Sequence, residues 1–322
     1  MICVMNEPFT IPIVYVIFNR PNLTKITFAQ IQALRPKYLY VVADGPRLEK
    51  SSDQAKCLSA RKIVKEIDWD CEVTYDFSEE NLGCKKRVSS GITNAFKVFS
   101  EAIILEDDCL PHPGFFQFCK EMLDTYRQNN KIMHISGNYF HGTRKFNEHD
   151  YYFSQYPHVW GWATWKRAWK KYDPAMKVWP EFNRAQGLKK LNLPKNVRKC
   201  FKNRFDAVYN NIINTWDYQW VFQLFLNQGL SINPKVNLIS NIGFGKNSTH
   251  TNSSLSPFAN MQTSALSFPL KHPEQIALCR EADNQTAAMH FISTDNSIFH
   301  KWKRSFTKRY NRLMKPLKRH GS

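Results

Sequence analysis

The chain has 322 residues, 43% hydrophobic and 14% aromatic, which suits one large folded domain and excludes an intrinsically disordered composition. A formal charge of +18 asks for an anionic partner, and nucleotides, phospholipid headgroups and nucleic acid all qualify. Eight scattered cysteines without a CxxC pair argue against a zinc site or a disulfide framework, and no apolar run is long enough to span a bilayer. A cytoplasmic location with peripheral membrane contact is therefore expected.

In chain order, residues 11–18 form a β-rich run that ends in Asn19-Arg20-Pro21, with Asn22 and Thr24 as caps for a helix reaching Leu34. The next apolar run, Tyr38 to Ala43, closes in Asp44-Gly45-Pro46. Strand, helix, strand describes a βαβ unit with a parallel sheet and a right-handed crossover, which puts Asp44 at the C-terminal edge of that sheet. Residues 51–67 read as a charged helix, 71–77 as a third strand and 88–99 as a helix with Ile92, Ala95, Phe96 and Phe99 on one face. Lys85, Lys86 and Arg87 open that helix, either as a solvated basic turn or as a phosphate contact.

The run Ala102-Ile103-Ile104-Leu105 then ends in Glu106-Asp107-Asp108, and Pro111 and Pro113 close it off. A short apolar run followed by turn chemistry is a buried strand, so three consecutive acids fall on the edge where open α/β sheets bind ligands. Adjacent carboxylates repel unless something positive compensates them, and a divalent metal is the natural candidate.

The second half changes character near Lys131. After a strand at Ile132–Ser136 come Tyr151-Tyr152-Phe153 and four tryptophans within ten residues. Trp165 and Trp169, four apart, suit one inward helix face, whereas Trp160-Gly161-Trp162, with a glycine permitting close approach, suits a wall of a sugar or base pocket. Residues 166–204 carry 13 Lys or Arg against two acids. Asp217 falls in the first turn of an apolar helix through Leu226, either as a helix cap or, partly desolvated between aromatics, as a general base. Residues 239–250 end a strand in a glycine-bearing polar loop containing His250, and residues 251–296 read as an irregular wrap. In the tail, Phe299, Trp302, Phe306, Tyr310, Leu313 and Leu317 interleave with nine cations, the pattern of an interfacial amphipathic helix.

With Glu106-Asp107-Asp108, Trp160-Gly161-Trp162, Trp216-Asp217 and His250 in this order, the chain resembles GT-A glycosyltransferases, the inverting, metal-dependent kind related to the N-acetylglucosaminyltransferase I group and bacterial family 2-like transferases. The resemblance implies a Rossmann-like α/β fold, a mixed, mostly parallel sheet flanked by helices with a helical acceptor-side region. It implies a nucleotide-sugar-binding half over 1–130 and an acceptor-binding half over 131–255, followed by the wrap at 256–296 and the basic tail at 297–322. Asp108 and His250 would hold Mn²⁺ or Mg²⁺, with Glu106 and Asp107 orienting the donor around it. Asp44, Arg20, Arg87, Trp160, Gly161 and Trp162 would contact the nucleotide-sugar, expected to be UDP-linked, and Asp217 would be the catalytic base.

The expected activity is transfer of a hexosyl or N-acetylhexosaminyl group to a cell-surface glycan or lipid-linked acceptor, at an anionic membrane surface met by the tail. Three rivals differ in product or ligand. A nucleotidyltransferase would release pyrophosphate, a glycoside hydrolase would pair Asp217 with Glu106 without a metal, and a basic nucleic-acid binder would show salt-sensitive binding to RNA or DNA, although no nucleic-acid partner is expected.

Overall fold

The computed structural model describes residues 8–245 and 256–292; His250 and the basic tail lie outside them. The first half alternates strands and helices: β1 (Ile13–Ile17), α1 (Pro21–Leu34), β2 (Tyr38–Ala43), α2 (Ser51–Ile63), β3 (Glu72–Phe77), α3 (Gly83–Val98) and β4 (Glu101–Glu106). A short β5 (Cys109–Pro111), α4 (Pro113–Thr125), β6 (Ile132–Ser136), β7 (Tyr151–Ser154) and β8 (Trp162–Trp165) follow. The basic stretch folds as α5 (Lys166–Trp169), α6 (Trp179–Arg184), α7 (Gly187–Lys190) and α8 (Lys195–Tyr209). Beyond it lie α9 (Asp217–Leu226), β9 (Leu230–Pro234), β10 (Ile239–Asn241), α10 (Arg280–Ala287) and a π-helical turn at Ala288–Ile292.

Eight strands form one mixed, mostly parallel sheet in the order β3-β2-β1-β4-β8-β6-β9-β7. The four strands β3, β2, β1 and β4 are all parallel, with Ile17 opposite Ala43 and Val16 opposite Glu106, so their C-terminal ends reach one common edge. β8 enters antiparallel to β4 and β6. This is the α/β architecture expected from the sequence.

The central strands are buried on both faces, which is why they read as continuous apolar runs. Ile13, Tyr15, Leu39, Val41, Ile103 and Leu105 pack with α1, α2 and α4, while Val14, Val16, Tyr40, Val42, Ala102 and Ile104 pack with α3, α5 and α9. A third cluster of Trp179, Phe201, Phe205, Phe222 and Phe225 holds the helical region of the second half together.

Local departures from the expected elements have identifiable causes. Neither Asn22 nor Thr24 caps α1: Pro21 takes its first position and Arg20 precedes it, because a proline has no N–H to satisfy and is preset for the first turn. α3 starts at Gly83 and so takes in the three basic residues. Trp165 and Trp169 do not share a helix face, since Trp165 ends β8 and Trp169 ends the short α5. The stretch expected to be irregular contains α10, whose Asp283 accepts hydrogen bonds from Ser154 Oγ and the Gln155 N–H. No helix among the described residues is long and apolar enough to cross a membrane.

Candidate active site at the carboxyl edge of the sheet

Glu106 is the last residue of β4, and Asp107 and Asp108 form the turn into β5. β5 pairs antiparallel with β10, Asn241 opposite Cys109, and this pairing brings the chain after β10 back onto the acids. The Ile242 N–H donates to the Asp108 carbonyl at 2.8 Å. Gly243 packs so closely that a Cβ there would stand 2.3 Å from Asp108 Oδ2. The glycine is required by contact with the carboxylate itself.

One positive charge beside the acids comes from within the chain. Arg20, between β1 and α1, donates to Asp108 Oδ2 at 2.8 Å through Nη1 and to Asp107 Oδ1 through Nη2. Thr27 Oγ1 of α1 donates to the Asp107 carbonyl at 2.9 Å. Burial works against the guanidinium charge, but Asp107 and Asp108 hold Arg20 above its usual range. Burial pushes Asp107 up to about 6 against the pull of Arg20, and burial together with Asp108 pushes Glu106 up to about 8. Glu106 thus has the character of a carboxyl that holds its proton near neutrality.

Asp217 opens α9, where its Oδ1 accepts from the Tyr218 N–H at 2.9 Å and from Thr215 Oγ1. Both bonds fall on one oxygen, leaving Oδ2 unengaged among the described residues. Burial chiefly pushes the Cys84 thiol up, and the Glu106 and Asp217 charges add to it, so both carboxylates lie within electrostatic reach of the start of α3.

Other expected site residues are distributed differently. Asp44 lies on the acid edge, but its carboxylate accepts from the Gly45, Leu82 and Gly83 N–H groups and from Asn81 Nδ2, and so shapes the turn into α3. Arg87 is buried against β3, with Nη2 at 2.6 Å from Asp76 Oδ1. Trp162 is a fully buried β8 residue stacked on His134 and Trp216 at ring distances of 5.0 and 5.6 Å, and is no pocket wall. Trp160 is partly exposed and meets Phe244 edge-on at 5.6 Å, next in the chain to the Gly243 that packs on Asp108. Gly161 joins the two tryptophans with φ of +64°, its Cα backed by Ile239, which allows one ring outside the core and the other within it.

Sequence reasoning missed Gly243, Thr215 and the bridging geometry of Arg20. The signals were a glycine pair closing a strand, a hydroxyl two residues before Asp217, and an Asn-Arg-Pro turn at a strand end.

Among the described residues no group of three or more His, Cys, Asp or Glu side chains could hold a metal ion, and Arg20 occupies one oxygen on each of Asp107 and Asp108. Asp107 Oδ2 is buried without a hydrogen-bond partner among the described residues. The expected ligand His250 lies outside the described residues.

No family model matches the chain, and no curated protein matches it. Among solved structures it is similar to the UTP-bound UGPase from Acinetobacter baumannii, 7% identical over 72% of this chain and 88% of that one, with a TM-score of 0.36. An apo UDP-glucose pyrophosphorylase matches at 10% identity over 72% and 93% with a TM-score of 0.36. A UDP-glucose pyrophosphorylase complexed with UDP-glucose matches at 13% identity over 45% and 62% with a TM-score of 0.24. Likeness at this distance carries no function across.

Proposed function

We propose that the chain is a transferase acting on a nucleotide-diphospho-sugar, and specifically a glycosyltransferase that moves the sugar to an acceptor hydroxyl with inversion. The observations supporting this most are the acid edge that ends β4 with Arg20 across it, and Asp217 at the start of α9 with one carboxylate oxygen unengaged among the described residues. A hydroxyl is a poor nucleophile until a base takes its proton, and Asp217, with one carboxylate oxygen unengaged, is suited to that role. Arg20 is the cation placed to meet the departing diphosphate, exchanging its bonds to Asp107 and Asp108 for bonds to phosphate oxygens. No step of this reading passes through a metal ion.

Nucleotidyl transfer is the second reading. It would use the same acid edge. Its nucleophile, a sugar phosphate, is already anionic and needs no base, so it leaves Asp217 without a role. A thermal-shift screen of nucleotide-sugars and nucleoside triphosphates, each with and without Mn²⁺, identifies the donor. Product analysis then decides: nucleoside diphosphate supports glycosyl transfer, and pyrophosphate overturns it.

A further inference from the structure

An open groove of about 840 Å³ runs down the outer side of α3, walled opposite by the 172–175 and 209–214 segments. Its α3 wall reaches from Leu82 to Asn94, roughly 18 Å at ~1.5 Å rise per residue. Lys85, Ser89 and Thr93 form one row along this wall, and Lys86, Ser90 and Asn94 the next, as spacing of four residues on a helix dictates. The far wall contributes Tyr172, Tyr209 and asparagines. Among the described residues no carboxylate lines the groove; Asp173, which interrupts the lining at 172–175, is turned into its own loop and accepts from the Ala175 and Lys177 N–H groups at 2.9 and 2.7 Å.

The head of the groove meets the candidate active site. The Leu82 and Gly83 N–H groups bond Asp44, Asn214 precedes Asp217 by three residues, and the hydroxyl of Tyr172 on the far wall donates to the carbonyl of Trp216, the neighbour of Asp217, at 3.0 Å. We infer that this groove is an extended acceptor subsite for an anionic oligosaccharide, whose terminal hydroxyl reaches Asp217 while the following sugars lie along α3. Ser89 and Ser90 donate to helix carbonyls and keep oxygen lone pairs for sugar hydroxyls, Tyr209 offers an exposed ring, and Lys86, with Lys85 exchanging its bond to Asn211 Oδ1, pairs with carboxylate or phosphate groups on the chain. The length of the groove favours several sugar units over a single one. This inference rests on the glycosyltransferase reading and adds the acceptor class to it.

The test is isothermal titration of the full chain with tetragalacturonate, a short poly(glycerol phosphate) and cellotetraose. At least one anionic chain is expected to bind about tenfold more tightly than cellotetraose, and which one binds separates carboxylate from phosphate recognition. Lys85→Glu with Lys86→Glu should abolish that preference. Ser90→Tyr, which fills the groove without changing charge, should weaken the same chain about tenfold and so separates groove binding from general attraction to a basic protein. Equal binding of cellotetraose, no binding of either anionic chain, or undiminished binding by either variant would overturn the inference. Thermal shift with UDP-glucose and other nucleotide-sugars is read in parallel: anionic-chain binding without any nucleotide-sugar binding would sink the proposed function while leaving the groove as a glycan site.

Discussion

His134 gives the sharpest stability prediction. It sits on the central strand β6, fully buried, with Nδ1 accepting from Trp220 Nε1 at 3.0 Å and Nε2 placed 3.0 Å from the His158 carbonyl. Those partners fix the neutral tautomer with its proton on Nε2, and burial pushes the ring down to about 3. The unfolded chain protonates this histidine below about 6.5 whereas the folded chain does not. Its contribution is therefore fully present above pH 6.5 and is lost as the pH falls toward 3, at about 1.4 kcal/mol per pH unit. His158, His141 and His290 crowd the same region and are likewise pushed down, first by burial. They act in the same direction, so the effect of His134 is read from a variant measured beside the wild type at each pH. His134→Gln keeps one donor and one acceptor but has no titratable ring. Urea denaturation of both proteins at pH 7.5 and 4.5 isolates the effect: the variant should be less stable by about 1–2 kcal/mol at pH 7.5, from the altered bonds and the lost stack on Trp162. By pH 4.5 that deficit should have closed or reversed, because the wild type alone has lost about 3 kcal/mol from this group. A difference that stays constant within about 0.5 kcal/mol between the two pH values would refute the assignment of a buried neutral ring.

Three further outcomes are expected. Asp217→Asn should lower turnover by about 10²–10⁴-fold with nucleotide-sugar affinity nearly intact; loss of donor binding in titration would move Asp217 out of the base role. Arg20→Met should cost about 3 kcal/mol by leaving Asp107 and Asp108 uncompensated, and Asp107→Asn in the same chain should restore about 1–2 kcal/mol of it, as read from a double-mutant denaturation cycle. Gly161→Ala, which puts a Cβ at a φ of +64° and 2.5 Å from the Ile239 side chain, should destabilise by about 2 kcal/mol in the same denaturation assay, whereas Gly243→Ala should act mainly on ligand binding by displacing Asp108.

Strands β1, β2 and β4 of the parallel half were legible because they are buried on both faces, leaving apolar runs as short and well punctuated as Ile13–Ile17 and Tyr38–Ala43. The acid edge was legible for the complementary reason that three carboxylates after such a run have no place in a core. The tryptophans were not legible, since a ring stacked on His134 and a ring beside Phe244 have the same sequence signature; only the positive φ of Gly161 sends Trp160 outward and Trp162 inward. α10 was hidden by composition, because its eight residues are mostly polar and dock through Ala282 and the buried Asp283, neither of which produces an apolar stripe.

Electrostatics at the acid edge shows why a local reading of sequence stops short of a site. Adjacent acids demand a compensating positive charge, but nothing in Glu106-Asp107-Asp108 says whether it arrives as an ion from solution or as a side chain. The parallel register of β1 and β4 brings one such side chain, since pairing Val16 with Glu106 carries the residues just past β1 to the acid turn and places Arg20 across Asp107 and Asp108. A guanidinium held there is free to exchange partners in a way a fully enclosed ion pair is not: its side chain retains about a fifth of its exposure, and a departing nucleoside diphosphate, which gains charge as the sugar leaves, would offer more charge than the two carboxylates. Release of Arg20 would also leave Asp107 and Asp108 available to other partners, so a single rearrangement would couple donor binding to the charge state of the whole edge.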